Sequence, residues 1–371
     1  MSNPLTVSFD RIDDPAALAA DWRDLEARAD VTFFLSWDWI GPWLATTGGA
    51  PIAARVVKDS RLVGLALFHV VRQMRHGFLP VRLAVLNETG DRQKDIAYME
   101  YNGALSEKDA EAAVLNAIIA ALANGADAPG FDAIRLGGLP ESLAQAIDPA
   151  GLAMQTVTAE PTARVDLDAL RVGGGDYLAG LSSNARQQIR RSQRLYEARG
   201  PVRLEAASSL DEAQSFFGAM QALHQATWAA RGMPGAFAAP FVEKFQRRVI
   251  DQAFAGGRVE LLRLAAGDAT LGYFYNFLHD GWVGAYMSGI AYEADNKLKP
   301  GLTGYALIVE RHLALGHRVV DFLAGEDAYK TRLGQPGEAM VWLNLEKPLL
   351  RFAISSGLRA VKQRLTGQAA S

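Results

Sequence analysis

None of the chain's 371 residues is cysteine. Without a thiol there can be no disulfide framework, thiolate nucleophile, iron–sulfur cluster or cysteine zinc site. A basic excess is missing as well. Lys and Arg number 38 against 41 Asp and Glu, giving a net charge of −3, so a broadly basic nucleic-acid binder is excluded and no DNA partner is expected. Long apolar runs are scarce: AVLNAIIAALA (113–123) is too short to span a bilayer. The opening MSNPLTVSFDRIDD has no basic or apolar leader region, so no signal peptide is expected and the chain is placed in the cytoplasm. No histidine pair has helical or strand metal spacing, and no metal is predicted.

What is present is a soluble, globular composition, 49% hydrophobic and 21% charged, in a chain long enough for two domains. In the first half, 15–29 and the aromatic-rich 37–47 read as helices. The stretches 50–59 and 61–74 read as strands around a short polar turn. VRLAVLN (81–87) and IAYMEYNG (96–103) are further strand candidates. Ser106 and Asp109 suggest a capped start for the helix that Gly125 closes, and FDAIRLGG (131–138) follows as a strand.

The second half repeats that order about 190–210 residues later, a spacing of whole domains. Ser209 and Glu212 open a helix, and another follows at 241–257. A strand pair turns at Gly267 and Asp268, WVGAYMSGIAY (282–292) is the next strand, and HRVVDFLAG (317–325) closes the series. Both halves read β-α-α-β-β-β-α-β. Between them, three glycines at 173–175 precede a helix carrying Arg186, Arg190, Arg191, Arg194 and Arg199.

One junction carries chemical interest. In YEADNKLKPGLTGYALIVERHLALG (292–316), glycines and a proline stand directly before an amphipathic helix. Helix N-termini offer unpaired N–H groups and a favourable dipole to anions, although an ordinary strand–helix turn uses the same residues. The stretch is not a Walker A loop.

Taken in order, SSNARQQIRRSQRLYEARG, LHQATWAARGMPGAF, SGIAYEADNKLKPGLTGYALIVERHLALG and VVDFLAGEDAYKTRLG resemble the CelD/BcsL-like acetyltransferases. That tandem GNAT group also contains the Fem aminoacyl ligases of peptidoglycan synthesis. The resemblance covers roughly residues 170–335. It implies an α/β fold of two tandem GNAT-like domains with mixed sheets. The expected division is a degenerate first domain (1–168), an arginine-rich linker helix (169–204), an acyltransferase domain (205–348) and an amphipathic tail (349–371).

The resemblance also implies roles. Acetyl-CoA, or another acyl-CoA, would lie with its diphosphate against Lys299, Gly301, Leu302, Thr303 and Gly304. Pro300 departs from the usual loop because it has no N–H. The first-half counterpart, NGALSEKD, lacks the glycines, so one site per chain is expected. Tyr329 would protonate the departing thiolate, or would only pack. Lys330 could neutralise a phosphate or oxyanion, or be a solvated lysine. Asp321 and Glu326 are base candidates, and Asp321 could instead anchor an arginine. His224 stands open between a packed and a catalytic histidine. Trp228, Arg231, Phe237 and Tyr286 would meet the acceptor.

Arg190 and Arg194 could grip an anionic acceptor, bind a regulatory cyclic dinucleotide, or simply be solvated. The basic, apolar-striped segment 351–365 could touch an anionic membrane surface, or dock on the domain. The implied activity is acyl-CoA-dependent N- or O-acyl transfer to a sugar, or a lipid- or nucleotide-linked sugar, in exopolysaccharide synthesis. The alternatives are a Fem-like aminoacyl-tRNA ligase and a non-catalytic protein that responds to a cyclic dinucleotide.

Overall fold

The computed structural model describes residues 4–75, 78–96, 99–349 and 352. The first half contains strands β1 (Thr6–Arg11), β2 (Ile52–Lys58), β3 (Arg61–Arg75), β4 (Leu79–Leu86), β5 (Leu105–Ser106), β6 (Ala133–Pro140) and β7 (Ala153–Glu160). Its helices are α1 (Pro15–Glu26), α2 (Trp37–Thr47), α3 (Glu111–Asn124) and α4 (Glu141–Gln145). After β8 (Thr162–Asp166) come α5 (Leu167–Val172), α6 (Tyr177–Gly180) and α7 (Ser183–Glu197). The second half then runs β9 (Val202–Ala206), α8 (Leu210–Ala230), α9 (Pro240–Ala253), β10 (Val259–Ala266), β11 (Ala269–His279), β12 (Trp282–Ile290), α10 (Pro300–Ala314) and β13 (Val319–Ala324). It ends with α11 (Lys330–Leu333), β14 (Gln335–Pro336) and β15 (Met340–Glu346).

The repeat expected from the sequence is present, and the fold is mixed α/β. One sheet has the order β1-β2-β3-β4-β6-β15-β7, with β5 paired to β3, and the other β14-β8-β13-β12-β11-β10-β9. Each sheet is antiparallel except at one place: β4 runs parallel to β6, and β12 parallel to β13. The two halves exchange a strand. β15, at the end of the chain, sits between β6 and β7 of the first sheet, whereas β8, expected within 1–168, lies between β13 and β14 of the second. The crossings occur at Pro161, which has no N–H with which to continue a ladder, and at Gly337. They pack on each other: Gly337 N–H donates to Thr162 O (3.0 Å), and Thr162 Oγ1 donates to Glu338 O (2.8 Å).

Between the halves lies an aromatic core. Phe33 of the first half stacks on Phe277 of the second (4.3 Å, 8°), and Trp39 meets Phe245 edge-on at 4.7 Å. Each such pair contributes about 0.5–1.5 kcal/mol beyond its buried area. α3 covers the other face of the first sheet with Val114, Leu115, Ile118, Ile119 and Leu122.

Local details correct two expectations. The described positions of 96–103 form no strand, because Glu100 and Asn102 are buried polar side chains that bond backbone groups of β13, β4 and β6. α3 begins at Glu111 with no side-chain cap, and Ser106 lies in β5. Ser209 does cap α8, accepting from Glu212 N–H at 3.2 Å, while the Glu212 carboxylate bonds Ser208. Apart from Leu349 and Phe352, the amphipathic tail lies outside the described residues; those two pack on Val81, Leu83 and Val85.

Candidate active site

Each sheet opens where its parallel pair stops. In the second half, β12 and β13 pair only from Trp282/Val319 to Gly284/Asp321, and beyond them the strands diverge. In the first half, pairing ends at Val85/Arg135. That opening is closed by one side chain. Asn102 Nδ2 donates to Leu86 O (3.1 Å) and Gly137 O (2.9 Å), bridging the diverging strands, and its Oδ1 accepts from Asn87 Nδ2 (2.8 Å).

The second opening is lined differently. Tyr305 of α10 donates its hydroxyl to Ser288 Oγ on β12 (3.1 Å). Tyr329, at the N-terminal end of α11, stacks on Tyr305 with centroids 4.8 Å apart and planes within 3°. Burial, then the neighbouring Tyr305, pushes the Tyr329 hydroxyl well above its ordinary range, so at neutral pH it holds its proton. A row of three hydroxyls therefore crosses the opening.

His224 approaches the same strand from α8. That helix can lie close because Gly289 has no side chain; a Cβ there would come within 2.2 Å of Met220 O. His224 Nδ1 lies 3.2 Å from the Ser288 carbonyl, which can only accept. Nδ1 thus carries the proton and Nε2 the lone pair. Nε2 is buried without a hydrogen-bond partner. Burial holds the ring's pKa below its ordinary 6.5, a direction Arg231 reinforces. A neutral imidazole with an unused lone pair is the form a general base requires.

The expected phosphate loop is narrower than its sequence suggests. Lys299 N–H is taken by Ser192 Oγ of α7 (2.9 Å), Pro300 has none, and Thr303 N–H returns to Lys299 O. Among the described residues, Gly301 and Leu302 N–H keep no such partner. Gly301 is also open, since an added Cβ would meet only Ile290 Cγ1 at 3.9 Å. Thr303 and Gly304 do not fit the binding role. Thr303 is buried and donates to Ser192 Oγ at 2.9 Å. Gly304 faces the core, where a Cβ would stand 2.1 Å from Phe274 Cζ. The Leu302 side chain is buried in the core. The α7 residue beside Ser192, Arg191, keeps a buried Nε without a partner.

Other expected residues are placed elsewhere. Asp321 is 2% exposed and fully engaged, accepting from the Tyr101 hydroxyl, Leu323 N–H (2.7 Å) and Trp282 Nε1 (3.3 Å). It is a buried anchor between the halves and not an open base. Lys330 is turned inward, its Nζ donating to the carbonyls of Ala324 and Leu323 beside the buried Glu100. Burial lowers its pKa, and no phosphate could reach it there. Glu326 lies exposed on the following loop. Tyr286 belongs to the aromatic core, packed on Phe34, Trp39 and Phe277, with Gln246 Nε2 on its hydroxyl (3.1 Å).

Trp228, Arg231 and Phe237 do border His224. Phe237 meets the imidazole edge-on at 5.3 Å, and the Arg231 guanidinium lies over Trp228 at 5.4 Å. Arg190 and Arg194 are exposed on α7, the helix that packs on the start of α10 through Ser192. Sequence reasoning missed Ser192, Ser288, Tyr305 and Asn102. Their one sequence signal is a polar group inside an apolar or helical run. Among the described residues no cluster of three potential metal ligands occurs, and no helix is long and apolar enough to cross a membrane.

Residues 183–331, from α7 into α11, match a family model described as an acetyltransferase (GNAT) domain. No curated protein matches the chain. Among solved structures, FemX is similar over 89% of this chain and 96% of its own, with a TM-score of 0.59 at 11% identity. The L-PGS of Bacillus licheniformis is similar over 93% and 96%, with a TM-score of 0.52 at 11% identity. The C-terminal domain of a candidate lysylphosphatidylglycerol synthetase from Agrobacterium fabrum covers 94% and 97%, with a TM-score of 0.55 at 11% identity. Residues 183–331 are thus similar to an acetyltransferase (GNAT) domain, inside a paired α/β fold that the whole chain shares with these structures.

Proposed function

We propose that the chain is an acyl-CoA-dependent N- or O-acyltransferase working at the second opening alone. The observation that carries this is the contrast between the two openings: Asn102 ties the first shut, while the second is lined by Tyr329, Tyr305, Ser288 and His224. The donor supplies an activated acyl thioester. Gly301 N–H, Leu302 N–H and Arg191 suit its diphosphate, because helix N-termini and guanidinium groups favour phosphate.

His224 Nε2 takes the proton from the acceptor amine or hydroxyl. Tyr329 gives one to the departing thiolate, with Tyr305 and Ser288 holding its hydroxyl in place. Trp228, Arg231 and Phe237 form the acceptor side. An aromatic face beside a guanidinium suits a sugar or sugar-linked precursor, in keeping with the exopolysaccharide setting that the resemblance implies. Thiol release from acetyl-CoA across amino and hydroxyl sugars tests the reaction. The rate should fall as pH drops through the His224 pKa, which lies below 6.5, and the His224→Gln variant should lose that limb. Turnover in the variant equal to wild type across pH would remove His224 from the mechanism.

A second reading, a Fem-like aminoacyl-tRNA ligase, is favoured by the exposed Arg190 and Arg194 beside the start of α10. Tight tRNA binding lost in an Arg190→Ala/Arg194→Ala double variant, without CoA binding, would support it over acyl-CoA. Binding of a cyclic dinucleotide, lost in the same variant, would instead make α7 a regulatory site.

A further inference from the structure

Outside the opening just described, the first half holds a cavity of about 390 Å³ on the face of its sheet opposite α3. Its floor is Arg135 of β6 with Trp342 and Asn344 of the exchanged strand β15, and its rim includes Glu88, Arg92 and Asp95. An adjoining cavity of about 270 Å³ shares Arg92, Arg135 and Asn344 and runs along β3 and β4. The first lies in the size range of small-ligand sites. Neither cavity is lined by a residue of the second opening.

The chemistry of the lining is specific. Asn344 Oδ1 is buried and has no hydrogen-bond partner, so it lacks a donor that a ligand could bring. Three carboxyl groups, those of Glu88, Asp95 and Glu160, face the guanidinium groups of Arg92 and Arg135. That mixture of acidic and basic groups disfavours a phosphate dianion, which the ionised carboxyl groups would repel, and equally a polyamine, which the arginines would repel. What suits it is an uncharged ligand rich in hydroxyl groups, each able to donate to Asn344 or a carboxylate and accept from an arginine. Trp342 adds a flat apolar face beside them.

We infer that this cavity is a second, non-catalytic site that binds an uncharged sugar, with Trp342 under the ring and Asn344, Arg135 and Arg92 on its hydroxyls. Burial, and then Asp95, pushes the Glu88 carboxyl up to about 8, so at neutral pH it too can donate a hydrogen bond to a neutral ligand. The site depends on the strand exchange, because β15 supplies two of its residues. It stands independently of the reaction at the second opening.

Calorimetric titration of the full chain with cellobiose and with chitobiose, and with inorganic phosphate and spermidine as charged controls, tests the assignment. At least one disaccharide should bind with a dissociation constant of about 1 mM or tighter. Its affinity should fall tenfold or more in Trp342→Ala and in Arg92→Ala, while CoA binding is unchanged. Arg92 is exposed, so its variant stays informative if the Trp342 variant does not fold. The inference is overturned if neither disaccharide binds, if binding persists undiminished in Arg92→Ala, or if only phosphate or spermidine binds.

Discussion

Glu100→Gln should make the protein more stable at alkaline pH while changing little at pH 5. Glu100 is 5% exposed, and its Oε2 accepts from Ala324 N–H of the other half at 2.7 Å. Burial pushes its carboxyl up to about 8 from the ordinary 4.5. Between those two values the folded chain holds a proton that the unfolded chain has released. Stability therefore falls as pH rises through that window. The difference, 8 − 4.5, at about 1.36 kcal/mol per pH unit sets a ceiling of about 5 kcal/mol. The positive charge of nearby Lys330 already tempers that shift, and roughly 2–5 kcal/mol is expected. Glutamine keeps an acceptor for Ala324 N–H and cannot ionise. Urea unfolding of both proteins at pH 5, 7 and 8.5 measures the effect. Glu88, also shifted upward by burial, bends both curves alike, so the difference between them reports Glu100 together with its charged neighbours Asp321 and Lys330. A difference that stays constant from pH 5 to 8.5 would refute the reasoning.

Gly304→Ala should lower stability by about 1–3 kcal/mol through overpacking, because its Cβ would strike the fully buried Phe274 ring. Gly301→Asp should leave the melting temperature unchanged and weaken CoA binding at least tenfold; a reversed pattern in calorimetry would move the diphosphate site. Asn102→Ala should cost about 1–3 kcal/mol, the penalty of stranding buried carbonyls at Leu86 and Gly137. An unchanged urea midpoint in Asn102→Ala would mean that the side chain does not hold the first opening shut.

The alternation of helix and strand, and the repeat itself, were legible because hydrophobic periodicity and local turn chemistry are short-range signals. Gly267 and Asp268 mark their hairpin, and Ser209 its helix start. The exchange of β8 and β15 was not legible. Each strand pairs with residues far away in the chain, and nothing local says which sheet it joins. IAYMEYNG looks like a strand, but burial of Glu100 and Asn102 with specific partners outweighs its β propensity.

The site was legible in part. Tyr329 follows from the family resemblance, and His224 stands open in the sequence between packing and catalysis; the structure places both around Ser288, Tyr329 through Tyr305. Asp321 and Lys330 misled because a buried charge reads the same in sequence whether it serves chemistry or locks two halves together. Gly304 misled likewise, since a glycine needed for close packing against Phe274 cannot be told from one that admits a phosphate.

The central claim is acyl transfer at the second opening with Tyr329 as the acid. The most direct test is thiol release by wild type and Tyr329→Phe, with any acceptor that supports turnover, alongside CoA titration of both. The account predicts one CoA per chain with equal affinity in the two proteins, and a kcat lower by about 10²–10⁴ in the variant. A Tyr329→Phe enzyme with wild-type kcat, or two equivalent CoA sites per chain, would contradict it.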